Sequence, residues 1–116
     1  MRNNVLVLAL CLLFTGLGFA QKVEPKYEKQ DDLVKVSYFY DNGDVKEIGY
    51  FKENKLHGQW VSFNEDGEKI TVANYENGKK VGTWYVVTND SVKELVYDAN
   101  KLVSVKDINT TEITFI

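Results

Sequence analysis

Few residues of this chain carry side chains able to make or break bonds, and they stand far apart. The 116 residues include one histidine, His57, and one cysteine, Cys11. Nucleophilic catalysis needs a nucleophile and a base within hydrogen-bond reach. His57 precedes Gly58 at the exit of a turn, with no Cys, Ser or second His at a suggestive spacing. It reads as a surface turn residue and not as a general base. Carboxylates gather at two places, Asp41 with Asp44, and Glu65 and Asp66 with Glu68. Calcium takes roughly 6–8 oxygens about one point, and the Glu that closes an EF-hand loop is missing from both clusters. Two carboxylates flanking a cleft would suit glycoside hydrolysis. Turn chemistry accounts for the same residues without a cleft. The sequence therefore assigns no catalytic, metal-binding or cofactor-binding residue, and no cofactor is expected.

The residues that recur are aromatic. Gly58-Gln59-Trp60 returns twenty-four residues later as Gly82-Thr83-Trp84, and Phe51 matches Tyr75 at the same spacing. Gly43, Gly67 and Ser91 share another phase. Three units follow, 38–60, 61–84 and 85–105. Tyr97 arrives two residues early, so the last unit is shortened, and it lacks the Gly and the Trp. A terminal unit that faces solvent is expected to be atypical.

Elements that would position these rings follow from local chemistry. Asn42-Gly43, Asp66-Gly67 and Asn77-Gly78 are tight-turn pairs, because Gly reaches positive φ freely and Asn or Asp tolerates it. Between them lie short runs rich in β-branched and aromatic residues, such as "EKITVANY" and "TWYVV". No sustained helical period with caps is present. The expected fold is all-β: a single-layer antiparallel meander of stacked hairpins over 33–116. One hairpin alone cannot bury its apolar face, and stacking supplies the missing neighbour.

Period-two alternation sorts the side chains. Gly49 and Phe51 share a face, as do Ala73 and Tyr75, then Leu95 and Tyr97. Trp60 faces away from Val61 and Phe63, and Trp84 from Tyr85. Both faces carry apolar residues, so alternation alone does not say which is the more buried. The repeated Gly58 and Gly82 have two available causes: an unusual φ as the strand begins, or an aromatic ring lying across the backbone. Phe51, Trp60, Tyr75, Trp84 and Tyr97 form the candidate binding surface. The competing reading is that these rings serve cross-strand packing.

The first twenty residues read as a secretory signal: Arg2, an apolar run from Val5 to Phe14, then Gly18 and Ala20 before Gln21. The run is shorter than the ~20 residues of a membrane span. Cleavage near Ala20-Gln21 would leave a chain without cysteine, which excludes thiol catalysis, cysteine-ligated metals and a disulfide framework. Residues 21–32 are charged and hold the only proline, Pro25, and are expected as a flexible leader. The formal net charge of −3, with both signs mixed, argues against nucleic acid and anionic membrane surfaces as partners.

Asn42–Trp60 ("NGDVKEIGYFKENKLHGQW") and Asp66–Trp84 ("DGEKITVANYENGKKVGTW") resemble the MORN repeat, and more closely its type-2 bacterial variant. The second copy matches better. The first has Asn54 where the inner turn carries Gly, and the third keeps only Tyr97, Asn100 and Lys101. The resemblance covers about half of the chain. It implies a sheet of stacked hairpins and an interaction scaffold more often than an enzyme. Antitoxin labels attach to this repeat class, but an export signal would carry such a chain away from a cytosolic toxin. The expected function is an exported, non-enzymatic module, periplasmic, at the cell surface or secreted, recognising a protein or a glycan. The alternatives are an envelope structural part and an enzyme with its site on the sheet face. Open sheet edges, including the C-terminal run "TTEITFI", offer self-association or β-augmentation.

Overall fold

The computed structural model describes residues 23–89 and 91–108. The expected signal peptide over 1–20 and the C-terminal run 110–116 lie outside the described residues. Among the described residues ten strands, all paired antiparallel, form one open sheet in the order β1-β2-β3-β5-β6-β8-β9-β10, with β4 added to β3 and β7 added to β6. They are β1 Lys26–Gln30, β2 Leu33–Phe39, β3 Val45–Lys52, β4 Lys55–Leu56 and β5 Gly58–Phe63, then β6 Lys69–Glu76, β7 Lys79–Lys80, β8 Gly82–Val87, β9 Val92–Asp98 and β10 Lys101–Ile108. The described residues contain no helix. The sheet is a single elongated layer, 63 × 34 × 21 Å. The single-layer antiparallel meander expected from the turn spacing is therefore the observed fold.

Two kinds of turn build it. At the outer side, Gly43 N–H donates to Tyr40 O (2.9 Å) and Gly67 N–H to Asn64 O (3.0 Å), with φ of +92° and +84° at the two glycines. Each is a tight turn followed by a left-handed residue, and each pushes the adjoining pair out of register by one, at Tyr38/Phe39 and at Ser62/Phe63. The third outer turn runs from Thr88 to Ser91, without such a glycine and without a register shift between β8 and β9. One residue fewer in the loop and no bulge beside it account for the early arrival of Tyr97.

At the inner side, positive φ at two successive residues marks three hairpin tips: Glu53-Asn54 (50°, 64°), Asn77-Gly78 (49°, 82°) and Ala99-Asn100 (44°, 73°). Asn is the non-glycine residue best able to hold this conformation. The sequence pattern marked only Asn77-Gly78 as such a turn. The tips also lean on their neighbours. Gly78 N–H donates to Leu56 O (2.8 Å), and Asn100 N–H to Lys80 O (2.9 Å). Asn100 Oδ1 in return accepts from Lys80 N–H at 2.9 Å.

Gly58 and Gly82 occupy the step between the inner arms and the main strands. β3 pairs with β4 at Phe51↔Leu56 but with β5 at Ile48↔Val61, so the register moves by two residues in between. The same step separates Tyr75↔Lys80 from Val72↔Tyr85. Gly58 has φ +83° with open space beside it, and Gly82 has φ +67°. The unusual backbone, and not a ring lying across it, is what these two glycines serve.

One segment differs from the expectation. β1 lies within 21–32, which charge and Pro25 suggested as a flexible leader. Its residues pair along the whole of β2's start, from Gln30↔Leu33 to Lys26↔Ser37. Tyr27 opposite Val36 supplies the apolar contact, and an Asp31 at φ 56° makes the turn without glycine.

Candidate functional site

The pairings place the sequence-selected rings on one face. Val36↔Gly49, Trp60↔Ala73 and Trp84↔Leu95 form one row across the sheet. Val34↔Phe51, Gly58↔Tyr75 and Gly82↔Tyr97 form the next. Residues directly opposite one another share a face, so Phe51, Trp60, Tyr75, Trp84 and Tyr97 all stand on the same side. On its other flank the row of rings is bordered by Tyr38↔Glu47, Ser62↔Thr71 and Val86↔Lys93.

The rings form two clusters. In the first, Trp60 lies 5.9 Å from Phe51, edge to face, and 6.2 Å from Tyr38. In the second, Trp84 lies 5.2 Å from Tyr75 and 5.0 Å from Tyr97. The ammonium of Lys80 sits 5.2 Å from the ring centres of both Trp84 and Tyr97, a cation–π contact on two rings at once.

The two tryptophans play different parts. Trp60 lies across Gly49 so closely that a Cβ there would overlap its six-membered ring. Its indole N–H donates to Glu47 Oε1 at 3.3 Å, and the Ser62 hydroxyl donates to the same oxygen at 3.4 Å. Beside Trp84 the corresponding small residue is Ala73, which is buried. The Trp84 indole instead donates to the Asn74 and Val81 carbonyls, at 3.1 and 3.2 Å, against the register step. Trp84 is 8% exposed, with its N–H spent internally. Packing is its role. Phe51, Trp60, Tyr75 and Tyr97 remain half-buried and present ring surface to solvent.

Electrostatics on this face are mild. The Tyr75 hydroxyl titrates above its ordinary range, first because burial disfavours the phenolate, then because Glu47 and Tyr97 add negative charge nearby. On the opposite face Tyr85 is raised for the same first reason, with Glu94 as the second. Lys93 is held by Asp107 at 2.8 Å. His57 Nδ1 accepts a long, 3.5 Å contact from Asn77 N–H, which places it as a turn residue. Among the described residues no group of three His, Cys, Asp or Glu is arranged to hold a metal.

Concave ground lies at the N-terminal end of this face. A groove of about 380 Å³ is lined by Tyr27, Val34, Tyr38, Phe51, Glu53 and Asn54. Neither Tyr27 nor Tyr38 stands out in the repeat pattern of Phe51, Trp60, Tyr75, Trp84 and Tyr97. One signal bears on this end of the sheet: Val36 stands twenty-four residues before Trp60, in the tryptophan phase, and Tyr27 pairs opposite it. Comparison with protein-family models, with curated proteins and with solved structures finds no match to this chain.

Proposed function

We propose that this protein is an exported, non-enzymatic module built of MORN-like β-repeats, which recognises a partner through its aromatic face. The observation that carries the reading is the row of half-buried rings at Phe51, Trp60, Tyr75 and Tyr97 on one side of a one-layer sheet. A single layer leaves both faces open to solvent, and aromatic side chains dominate the energetics of protein recognition. The signal-like segment supports action outside the cytoplasm and weighs against an antitoxin role. The outer edges of β1 and β10 offer a second contact route, although Lys26, Lys29, Lys101 and Lys106 on those strands discourage edge-to-edge pairing.

The test is capture of envelope components by the chain from Gln21 onward, with one charge placed on each face in turn. Thr71→Lys puts an ammonium beside the rings, and Gln59→Lys puts one on the opposite face. Capture lost with Thr71→Lys and retained with Gln59→Lys supports the reading. Retention of an insoluble glycan in place of a protein, with the same dependence, assigns the face to a glycan. Indifference to both substitutions overturns it.

A further inference from the structure

We propose that the groove between Tyr27, Tyr38 and Phe51 binds a small free quaternary ammonium ion of the choline type. The groove lies beside Val36, which takes an indole's place in the row. Val36↔Gly49, Trp60↔Ala73 and Trp84↔Leu95 are equivalent pairs, so Val36 of β2 stands where β5 and β8 carry tryptophan. Val36 is fully buried beneath its neighbours. Tyr27 and Tyr38, with Phe51, line a groove of about 380 Å³, and Val34, Glu53 and Asn54 complete its lining.

This wall has the chemistry of a cation site. The faces of aromatic rings attract positive charge, most strongly where water is displaced. Glu53 adds a carboxylate, and among the described residues it has no ion-pair partner. Lys80 demonstrates the preference on the same face, since its ammonium rests on two rings of the second cluster. At the equivalent place in the first unit stands Leu56, as Phe51↔Leu56 matches Tyr75↔Lys80. Among the described residues no side-chain ammonium rests over Tyr27, Tyr38 or Phe51.

Methylation state follows from hydrogen bonding. A primary ammonium brings three donors that need acceptors, and unsatisfied ones are costly. A trimethylammonium group has none. Its methyls bury against Val34 and the rings while its charge meets Glu53. This inference does not depend on the partner proposed above, because a small ion in the groove leaves the Trp60 to Tyr97 side of the face free.

The experiment titrates choline chloride into the full chain and follows backbone amide shifts. A parallel titration uses 3,3-dimethylbutanol, which has the same shape without the charge. The expected result is saturable binding with shifts centred on Tyr27, Tyr38, Phe51 and Glu53, and affinity about tenfold higher for choline than for the alcohol. Tyr27→Ala should weaken it about tenfold and Glu53→Gln several-fold, by the same cation–π and charge terms. Tyr27 is 64% exposed, and the amide spectrum of the Tyr27→Ala chain checks that β1 stays paired with β2, while Glu53→Gln tests the site without touching that pairing. Equal affinity for the alcohol overturns the proposal, as do unaltered binding by Tyr27→Ala, shifts centred elsewhere, or binding to phosphatidylcholine vesicles without binding to free choline.

Discussion

Trp60 lies flat across Gly49 on the neighbouring strand, with no room for a Cβ between indole and backbone. This contact joins β5 to β3 and sets the indole where Glu47 can accept its N–H. Gly49→Ala is expected to destabilise the fold by ~1–3 kcal/mol, the usual cost of overpacking. Urea unfolding should show a lower midpoint at unchanged slope. An unchanged midpoint would mean that the indole moves aside freely.

Gly58 and Gly82 should fail for a different reason. Space beside Gly58 is open, so the cost of Gly58→Ala is backbone strain at positive φ, about 1–2 kcal/mol. Gly58→Asn should recover part of the loss, because Asn tolerates that conformation. At Gly49 the order reverses: Asn is worse than Ala, since the larger side chain meets the ring. Urea midpoints of the four variants separate the two mechanisms.

Trp84 is the best-buried ring of the face, and Trp60 is half-buried. Trp84→Ala should therefore cost ~3–5 kcal/mol, the range for buried aromatic truncation. Trp60→Ala should cost less. A loss below ~0.5 kcal/mol at Trp84, within the surface range, would remove it from the core.

Alkaline pH gives a further check. The Tyr75 hydroxyl is raised in the folded state by burial first, then by Glu47 and Tyr97. The folded protein thus holds that proton more tightly than the unfolded chain does. Its contribution is complete below the unfolded value, about 10, and is lost as pH rises through the higher folded value. Thermal melts should fall as pH climbs above about 10, and the fall should shrink in Tyr75→Phe.

Much of this fold is legible in the sequence because its turns announce themselves. Asn42-Gly43, Asp66-Gly67 and Asn77-Gly78 mark where the chain reverses, and period-two alternation sorts the side chains within each strand; the cross-strand register then puts Phe51, Trp60, Tyr75, Trp84 and Tyr97 on one side. Glu53-Asn54 and Ala99-Asn100 were harder to read, because propensity gives Glu and Ala little reason to adopt positive φ. Tertiary pairing holds the second of these tips: Asn100 exchanges two hydrogen bonds with the Lys80 backbone. β1 was hidden because "KYEKQ" is polar on both faces except at Tyr27. Its order comes from the ladder with β2. The separation of Trp84 as a packing ring from the more open Trp60 was not legible, because it shows in burial and in the indole partners, backbone carbonyls for Trp84 and the Glu47 carboxylate for Trp60.

The most direct test of the account is the paired-face measurement: capture of envelope components by the chain carrying Thr71→Lys against the chain carrying Gln59→Lys, both verified as folded. The account predicts that Thr71→Lys abolishes capture and that Gln59→Lys leaves it unchanged. Capture that survives Thr71→Lys, or that is lost equally with Gln59→Lys, would contradict recognition through the aromatic face.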